Sequence, residues 1–391
     1  MSRLASDPQA SKGRLLPEPA SPTRTPFQRD RDRIVHSSAF RRLAHKTQVF
    51  VHHEGDHFRT RLTHTIEVAQ LARALARPFG LDADLAEAVA LGHDLGHTPF
   101  GHAGEDALDG CLAGQGGFDH NSHGLKIVTE LERHYADFDG LNLAWETLEG
   151  LVKHNGPLLD ADGAPVARWR ERGLPEPIAA FDRRWPLELT LWPSLEAQAA
   201  ALADDIAYNA HDIDDGLRAG LFTLDALLAV PWLAALIGEI EGRHPGLEEG
   251  RKIHELSRRV ITCFVEDALA ETAARLKADR IETVGDACRA GRAIVAFSAD
   301  MAGAERDIKT FLFQRMYRHP QVNQMRADAD RIVRALYSAY AGRPQEATAF
   351  WRARGEKVGL ERAAAEYVAG MTDRFALNEY RRLFDPSARL G

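Results

Sequence analysis

Histidines and carboxylates that could do chemistry are concentrated in one part of this sequence. Thirteen of the 17 histidines lie between residues 36 and 154, which is less than a third of the 391-residue chain. Histidine is the commonest metal ligand and titrates near neutral pH, so histidines mixed with carboxylates indicate a candidate metal-hydrolase site. The informative strings are RLTHTIEVAQ around His64, GHDLGHTPFGHAGE from Gly92, FDHN around His120 and ADDIAYNAHDIDD from Ala203.

The adjacent pair His93 and Asp94 sets a condition on the backbone. Neighbouring residues on a helix point about 100° apart, so these two can converge on one ion only where a helix ends or kinks. Gly96 and Pro99 follow directly and supply such a break. With His64 from the preceding helix and a carboxylate from a distant one, the pair would form a mixed nitrogen and oxygen site. Such a donor set suits a first-row divalent metal.

The elements that must position these residues are helices. From residue 30 onward apolar residues recur at three- and four-residue spacing, which predicts a mostly helical chain. A helix over residues 60–77 would carry His64. The next would be capped by Asp82 or Asp84 and run through Gly96, followed by a break at residues 97–101. Further helices are expected at residues 121–134, 143–154, 195–219, 247–277, 284–298, 304–317 and 321–340, with a long surface excursion at residues 156–193.

Charge and composition exclude several classes of protein. There are 57 acidic and 49 basic side chains, so a generally basic surface for nucleic acid is absent. The first 60 residues hold 11 basic against 6 acidic residues. Residues 1–25 are therefore expected to form a flexible basic tail, for which single-stranded DNA is one conceivable partner. Three separated cysteines and no long apolar stretch predict a cytoplasmic protein without membrane contact.

The order of His64, His93, Asp94 and Asp204 resembles the HD-domain metal phosphohydrolases. The strings HDLGHTPFGHAGE and ADDIAYNAHDIDD resemble those of the deoxynucleoside triphosphate triphosphohydrolases, the bacterial dGTPase-like proteins. The similarity extends from about residue 22, beginning SPTRTPFQRDRDRIVHSSAFRRLAHKTQVF, to about residue 320. It implies an all-α HD fold with additional C-terminal helices. It also implies hydrolysis of dNTPs to deoxynucleoside and inorganic triphosphate, by attack of a metal-activated water at the α-phosphorus. Another HD-domain phosphodiesterase or nucleotidase is the alternative.

The resemblance also implies an organisation and a set of partners. Residues 26–230 would form the catalytic HD core. Residues 231–391 would form a helical region that packs on the core and completes the nucleotide pocket and the oligomer interface. Relatives assemble as tetramers or hexamers and often need a nucleotide activator, so a homo-oligomer with possible dNTP activation is expected. The cofactor would be Mn²⁺, Mg²⁺ or another first-row divalent metal ion.

The metal ligands implied by the resemblance are His64, His93, Asp94 and Asp204. Asp205 is the rival ligand next in the sequence. Asp204 is preferred because it shares one helix face with Tyr208 and Asp212, at positions i, i+4 and i+8. The resemblance places Tyr208 against the deoxyribose and makes Asp212 an acceptor for the 3′-hydroxyl.

The remaining assignments concern the sugar and the phosphates. Gln48 would approach the sugar C2′, Arg61 the α-phosphate, and Tyr317 would close the sugar pocket. His102 is assigned as general acid, oriented by Glu105, while His97 and His120 would face the phosphates. Relatives often carry glutamine at the position of His123, whose role is left open. His52, His53 and His57 are expected in an exposed loop with no catalytic role.

Overall fold

The computed structural model describes residues 2–48 and 59–390 and is all-α, as predicted. Within these ranges the chain forms no β-strand, only isolated bridges. The α-helices of the described residues are α1 (Pro26–His36), α2 (Ser38–Arg42), α3 (Arg61–Ala76), α4 (Ala83–Gly92), α5 (Gly101–Cys111), α6 (His120–Lys126), α7 (Trp145–Lys153), α8 (Glu176–Arg184), α9 (Leu195–Arg218), α10 (Leu224–Leu227), α11 (Pro231–Arg243), α12 (Glu249–Ala278), α13 (Val284–Arg289), α14 (Ala299–Leu312), α15 (Pro320–Gly342), α16 (Ala349–Val358), α17 (Leu360–Ala369) and α18 (Asp373–Leu383).

Helices α3, α4 and α9 form the centre of the larger hydrophobic cluster. Helix α3 packs along both α9 and α4, and α1 and α12 cover them. The shared interior includes Val68 and Leu75 of α3, Leu85 and Val89 of α4, and Ile206 of α9, all fully or almost fully buried. Because these apolar faces fix the three helices against one another, polar residues on the same helices are brought to constant positions.

A second, smaller cluster lies on the other side of the segment between α4 and α5. It is built from α5, α15, α17 and α18, with Leu108, Leu336, Val368 and Leu377 in its interior. Phe100, immediately before α5, is buried in this cluster. The segment that follows His93 and Asp94 therefore passes from one cluster to the other.

The predicted helix ends near the site are confirmed at two of three places. Thr60 caps α3 by accepting a hydrogen bond from the Thr63 amide. Asp82 caps α4 through the amides of the residues two and three positions later, at 3.0 and 2.8 Å. The end of α4 was predicted too late, because the helix stops at Gly92 and not at Gly96.

Three segments differ from their predicted structure. Helix α13 stops at Arg289, and Gly291 in the following turn has a φ of +72°, so no helix continues to residue 298. Helix α6 stops at Lys126 and continues as a single π-helical turn to residue 131. Residues 156–193 contain α8 and bury Ile178 and Leu187 in the larger cluster, since apolar residues among the prolines and glycines find partners there.

Residues before Pro26 lie against the helices at several points, which a flexible tail would not do. The Ser6 amide donates to Glu196 of α9 at 2.9 Å, and both residues are buried. Arg14 donates to the buried carboxylate of Asp30 at 2.5 Å. Composition alone missed these contacts because the segment has few apolar residues of its own: polar groups anchor it, and Leu4 and Leu15 pack against the larger cluster. The boundary near residue 230 stays a prediction.

No helix among residues 2–48 and 59–390 combines the length and the apolar character needed to cross a lipid bilayer.

Candidate active site

Most of the residues singled out from the sequence surround one cavity of about 740 Å³. The cavity lies where α3, α9, the α4–α5 segment and the turn after α14 meet. Eleven of the thirteen predicted site residues line it, and the two that do not, Glu105 and Asp212, lie directly behind lining residues. The eleven are Gln48, Arg61, His64, His93, Asp94, His97, His102, His120, Asp204, Tyr208 and Tyr317.

Four of these residues form what we term the metal-side group: His64, His93, Asp94 and Asp204. His64 Nε2 lies 2.9 Å from Asp204 Oδ1, which joins α3 to α9. His93 Nε2 lies 3.3 Å from Asp94 Oδ1 and 3.6 Å from Asp204 Oδ1. Because α4 ends at Gly92, His93 and Asp94 lie in a turn and converge, which meets the condition set by their adjacency.

The hydrogen bonding of His93 leaves one nitrogen for a ligand. Its Nδ1–H donates to the Ala90 carbonyl at 2.6 Å, so Nε2 carries the lone pair when the ring is neutral. Nε2 is buried and has no hydrogen-bond partner among the described residues. Ligand atoms of His64, His93 and Asp94 all lie within 4.8 Å of one another. An unpartnered imidazole lone pair beside two carboxylates fits a divalent metal ion.

The electrostatics of the metal-side group favour a cation. Burial lowers the pKa of His93, but the carboxylates of Asp94 and Asp204 outweigh burial and raise it to about 9. Burial raises the pKa of Asp94, yet the charges of His93 and Arg61 hold that pKa well below its usual range. The same balance, with His93 and His64 as partners, lowers the pKa of Asp204. In the absence of metal, a proton on His93 takes the position that a cation would occupy.

Asp205, the rival ligand, points elsewhere. Its Oδ1 accepts a hydrogen bond from Lys309 Nζ of α14 at 2.8 Å. Asp204 faces the two histidines instead, because adjacent positions on a helix diverge. Of the two neighbouring carboxylates, only Asp204 lies with the metal-side group.

A contact behind His64 was not anticipated from the sequence. His64 Nδ1 lies 3.1 Å from His211 Nδ1, and His211 Nε2 is in ion-pair contact with Glu67. Glu67 lies one helical turn after His64, so helical spacing was the available signal. These partners orient the His64 ring from the side opposite Asp204.

His97, His102, Glu105 and His120 form a second cluster, which we term the phosphate-side group. Glu105 Oε1 accepts hydrogen bonds from both His120 Nδ1 at 2.8 Å and the His120 amide at 2.9 Å. His102 Nδ1 lies 3.2 Å from Glu105 Oε2. The His97 and His120 rings stack with centroids 4.1 Å apart. One buried carboxylate thus orients two imidazoles.

The ionisation of the phosphate-side group follows from that carboxylate. Burial raises the pKa of Glu105, but hydrogen bonds from His102 and His120 outweigh burial and hold it well below its usual range. Burial lowers the pKa of His120, yet Glu105 raises it overall. Burial and the nearby charge of Arg61 hold the pKa of His97 well below its usual range. This group therefore favours protonation of His120 and disfavours protonation of His97.

The two groups are joined by the turn at residues 93–97. His97 Nε2 lies 3.1 Å from Asp94 Oδ1, and Arg61 donates to Asp94 Oδ2 at 2.9 Å. Gly96 is in direct contact with α6: a Cβ built there would lie 1.9 Å from the His120 carbonyl oxygen. Only glycine allows the turn to approach α6 this closely, which brings His97 onto His120.

Two tyrosines, Tyr208 and Tyr317, line the cavity and contact each other. The hydroxyls of Tyr208 and Tyr317 are hydrogen-bonded, and Tyr317 donates to Asp212. Their rings are parallel, with centroids 6.4 Å apart. Asp212 lies behind Tyr317, and burial raises its pKa to about 7. Gln48 lines the cavity at the edge of the described residues, with a buried Oε1.

Several cavity residues were missed by sequence reasoning. His154 directly follows the last residue of α7, as His93 directly follows the last residue of α4. Its Nδ1–H likewise donates to the carbonyl three residues earlier, that of Leu151, at 3.1 Å. A histidine at a helix end was the signal that could have found it. The other missed lining residues with polar side chains are Asn155, Lys309, Arg318, Asn323 and Arg326.

His123 does not line the cavity. It is buried, its ring lies 5.3 Å from that of Phe118, and burial together with the nearby charge of Lys46 holds its pKa well below the usual range. His52, His53 and His57 lie outside the described residues.

Comparison with known proteins agrees with this geometry. Residues 61–209 match the HD domain, and residues 295–382 match the phosphohydrolase-associated domain. A deoxyguanosinetriphosphate triphosphohydrolase-like protein of Nitrobacter hamburgensis is 57% identical over 99% of this chain and 97% of its own length. Proteins of the same description from Brucella ovis and Azorhizobium caulinodans are 59% and 55% identical, over 97% and 99% of this chain and 94% and 97% of their own lengths. The chain is therefore an HD-domain phosphohydrolase that belongs to the family of deoxyguanosinetriphosphate triphosphohydrolase-like proteins.

Proposed function

We propose that this enzyme hydrolyses deoxynucleoside triphosphates of the dGTP type to deoxynucleoside and inorganic triphosphate. The observation that carries the proposal is the combination of groups that line one cavity. Candidate metal-ligating side chains, further imidazoles, cations and two parallel tyrosines all line it. This combination matches a substrate that carries both phosphates and a sugar.

His64, His93, Asp94 and Asp204 would hold the divalent metal ion. Mixed imidazole and carboxylate ligands suit Mn²⁺ or another first-row transition metal, the carboxylates also suit Mg²⁺, and availability selects among them. A bound divalent ion lowers the pKa of a water molecule and polarises the phosphoryl group. Arg61 holds Asp94 in place at 2.9 Å and brings positive charge to the same wall of the cavity, where the α-phosphate would lie.

The phosphate-side group supplies the proton that the departing group needs. Cleavage between the α-phosphorus and the 5′-oxygen leaves an alkoxide, which must be protonated. His102 has 58% of its side chain exposed and uses Nδ1 toward Glu105, so its Nε2 is the nitrogen free to act as general acid. Lys309, Arg318 and Arg326 add positive charge along the cavity for the remaining phosphates.

The part of the cavity lined by Tyr208 and Tyr317 would select the sugar. Tyr208 would pack on the deoxyribose, with Tyr317 closing the pocket. Asp212 would accept a hydrogen bond from the 3′-hydroxyl once substrate displaces the contact with Tyr317. Gln48 would lie near C2′ and disfavour a ribose hydroxyl.

The direct test is a product assay with the metal-loaded enzyme. Each dNTP and each ribonucleotide is supplied singly and in mixtures with Mn²⁺ or Mg²⁺, and the products are resolved by chromatography. We expect deoxynucleoside and tripolyphosphate in equal amounts. Release of phosphate or nucleoside monophosphate would contradict the proposal and favour another HD-domain phosphodiesterase or nucleotidase.

We also propose that the enzyme is cytoplasmic and acts as a homo-oligomer, a tetramer or hexamer, with a dNTP as activator. Light scattering after size exclusion, with and without dNTP, measures the mass. A monomeric mass under both conditions would contradict the oligomer. Linear rates with each single dNTP, unchanged in mixtures, would contradict activation.

A further inference from the structure

Three segments far apart in the sequence meet beside the cavity, at what we term the Asp373 junction: residues 46–48, residues 97–101 and residues 369–373. Asp373 is the first residue of α18 and is buried. Its Oδ1 accepts a hydrogen bond from the Phe100 amide at 2.9 Å. Its Oδ2 accepts from the Thr47 amide at 2.8 Å and from the Thr47 hydroxyl. One carboxylate thus binds both segments that reach the cavity.

The bond to Phe100 fixes an unusual backbone conformation. Phe100 has a φ of +61°, in the left-handed region that non-glycine residues rarely adopt. Such conformations persist only where the surrounding structure enforces them. Phe100 immediately precedes α5, whose first turns carry His102 and Glu105. The direction of that helix, and with it the position of His102, therefore depends on the Phe100 backbone.

The bonds to Thr47 fix the second segment. Thr47 immediately precedes Gln48, which lines the cavity. The neighbouring Lys46 is buried and donates its Nζ hydrogens to the Ala369 carbonyl at 3.0 Å and to the His97 carbonyl. A Cβ built on Gly101 would lie 3.7 Å from the Gln48 carbonyl oxygen, so the segments also touch directly. The C-terminal segment thus accepts three hydrogen bonds from residues 46–48 and one from Phe100, and Lys46 joins the other two segments to each other.

We propose that Asp373 is a positioning residue that holds His102 and Gln48 in a fixed relation across the cavity. The inference rests on the proposed function, which gives these two residues their roles at the leaving group and the sugar. A single carboxylate fixes the positions of both residues. Its loss should therefore lower turnover and also weaken the preference for deoxyribose over ribose. A residue that only stabilised the fold would leave the sugar preference of the folded enzyme unchanged.

The chemistry of asparagine makes the proposal testable at one position. Asp373→Asn keeps the shape of the side chain but has one acceptor oxygen where the carboxylate has two. It can serve the Phe100 amide or the Thr47 donors, but not both. Asp30→Asn is a control, because Asp30 is also buried and accepts from the Ala144 amide at 2.8 Å, a threonine hydroxyl at 2.6 Å and Arg14, away from the cavity.

The experiment compares full-length wild type, Asp373→Asn and Asp30→Asn after metal loading. Metal content, melting temperature, kcat, KM and the ratio of kcat/KM for a dNTP over its ribonucleotide are measured. For Asp373→Asn we expect wild-type metal content, a kcat lower by about 10- to 100-fold and a lower ratio, since small displacements near reacting atoms have effects of this size. Asp30→Asn should lower the melting temperature and leave the ratio unchanged. Wild-type kcat and ratio in Asp373→Asn would overturn the proposal.

Thr47→Val provides a second variant if Asp373→Asn does not fold. It removes only the hydroxyl donor, so the sugar ratio should fall while kcat changes less. An unchanged ratio would overturn the proposal.

Backbone hydrogen exchange separates this inference from the proposed function. In Asp373→Ala, which removes both acceptor oxygens, residues 46–48 and 97–101 should exchange faster together, even if the wild type hydrolyses no dNTP. Faster exchange in one segment alone would overturn the coupling.

Discussion

The metal-side group and the phosphate-side group share a cavity but are built in different ways. His64, His93 and Asp204 come from chain segments that meet only when α3, α4 and α9 pack in the larger hydrophobic cluster. His97, His102, Glu105 and His120 lie within 24 residues and gather around one carboxylate at the starts of α5 and α6. Folding of the core positions the first group, whereas local hydrogen bonds position the second.

The two groups also differ in charge. The metal-side carboxylates are held ionised and raise the pKa of His93 to about 9, so this group attracts a cation. The phosphate-side group has one carboxylate for three imidazoles, and this carboxylate raises the pKa of His120. A cation at one side and transferable protons at the other are what hydrolysis of a phosphate ester requires.

The largest effect should come from breaking the metal-side group. Asp204→Ala removes a proposed ligand and should abolish both bound metal and activity. That loss should exceed the roughly 10- to 100-fold effects typical of an outer-shell partner. Metal content by mass spectrometry and dNTP hydrolysis are the measurements. Asp205→Ala is the control, because its carboxylate bonds Lys309 and should be dispensable for metal. Equal metal loss in both variants would contradict the separation of the two aspartates.

Breaking the phosphate-side group should separate activity from metal. His102→Ala removes the proposed general acid and should lower kcat by about 10²-fold or more. Its metal content should equal that of wild type, because His102 contacts only Glu105 of the phosphate-side group by hydrogen bond. Full activity would make His102 a structural residue. Loss of metal would show that the two groups are not independent.

The contrast between the groups explains what the sequence could and could not predict. Helical spacing and capping signals placed α3, the start of α4 and α9 well, because their apolar faces and caps are local features. All thirteen proposed site residues line the cavity or lie directly behind its lining. Lys309 and Arg318 were missed because their approach depends on how α14 and α15 pack, and Asp373 because its partners are 326 and 273 positions away.

The smallest effect concerns the dependence of activity on pH. Low pH should weaken the metal-side group, and high pH should weaken the phosphate-side group. Metal ligands must be deprotonated, so metal occupancy should fall as pH falls. The pKa of His120 is raised in the folded protein, so its pairing with Glu105 is fully present below the unfolded pKa and is lost as pH rises through the folded value. The metal-side group thus limits activity at acidic pH, and the phosphate-side group at alkaline pH.

Glu105→Gln tests this contrast. Without the negative charge the pKa of His120 should fall, so the alkaline limb of kcat against pH should move to lower pH. Activity at neutral pH should fall by about 10-fold, which corresponds to the lower end of the range for one hydrogen bond to a charged group. The acidic limb of metal occupancy should not move. NMR titration of the histidine side chains and metal content across pH are the measurements, and an unmoved alkaline limb would contradict the assignment.

Gly96 determines how closely the turn at residues 93–97 approaches α6. The turn that carries His93, Asp94 and His97 is separated from α6 by less than the width of a methyl group, since a Cβ at residue 96 would lie 1.9 Å from one backbone oxygen and 2.4 Å from a backbone nitrogen. Both are backbone atoms of α6, so no rotamer change relieves the overlap. In a saturation library selected for activity, residue 96 should therefore tolerate no substitution, although its side chain is a single hydrogen atom. The lack of a Cβ at residue 96 therefore allows the close approach of His97 to His120.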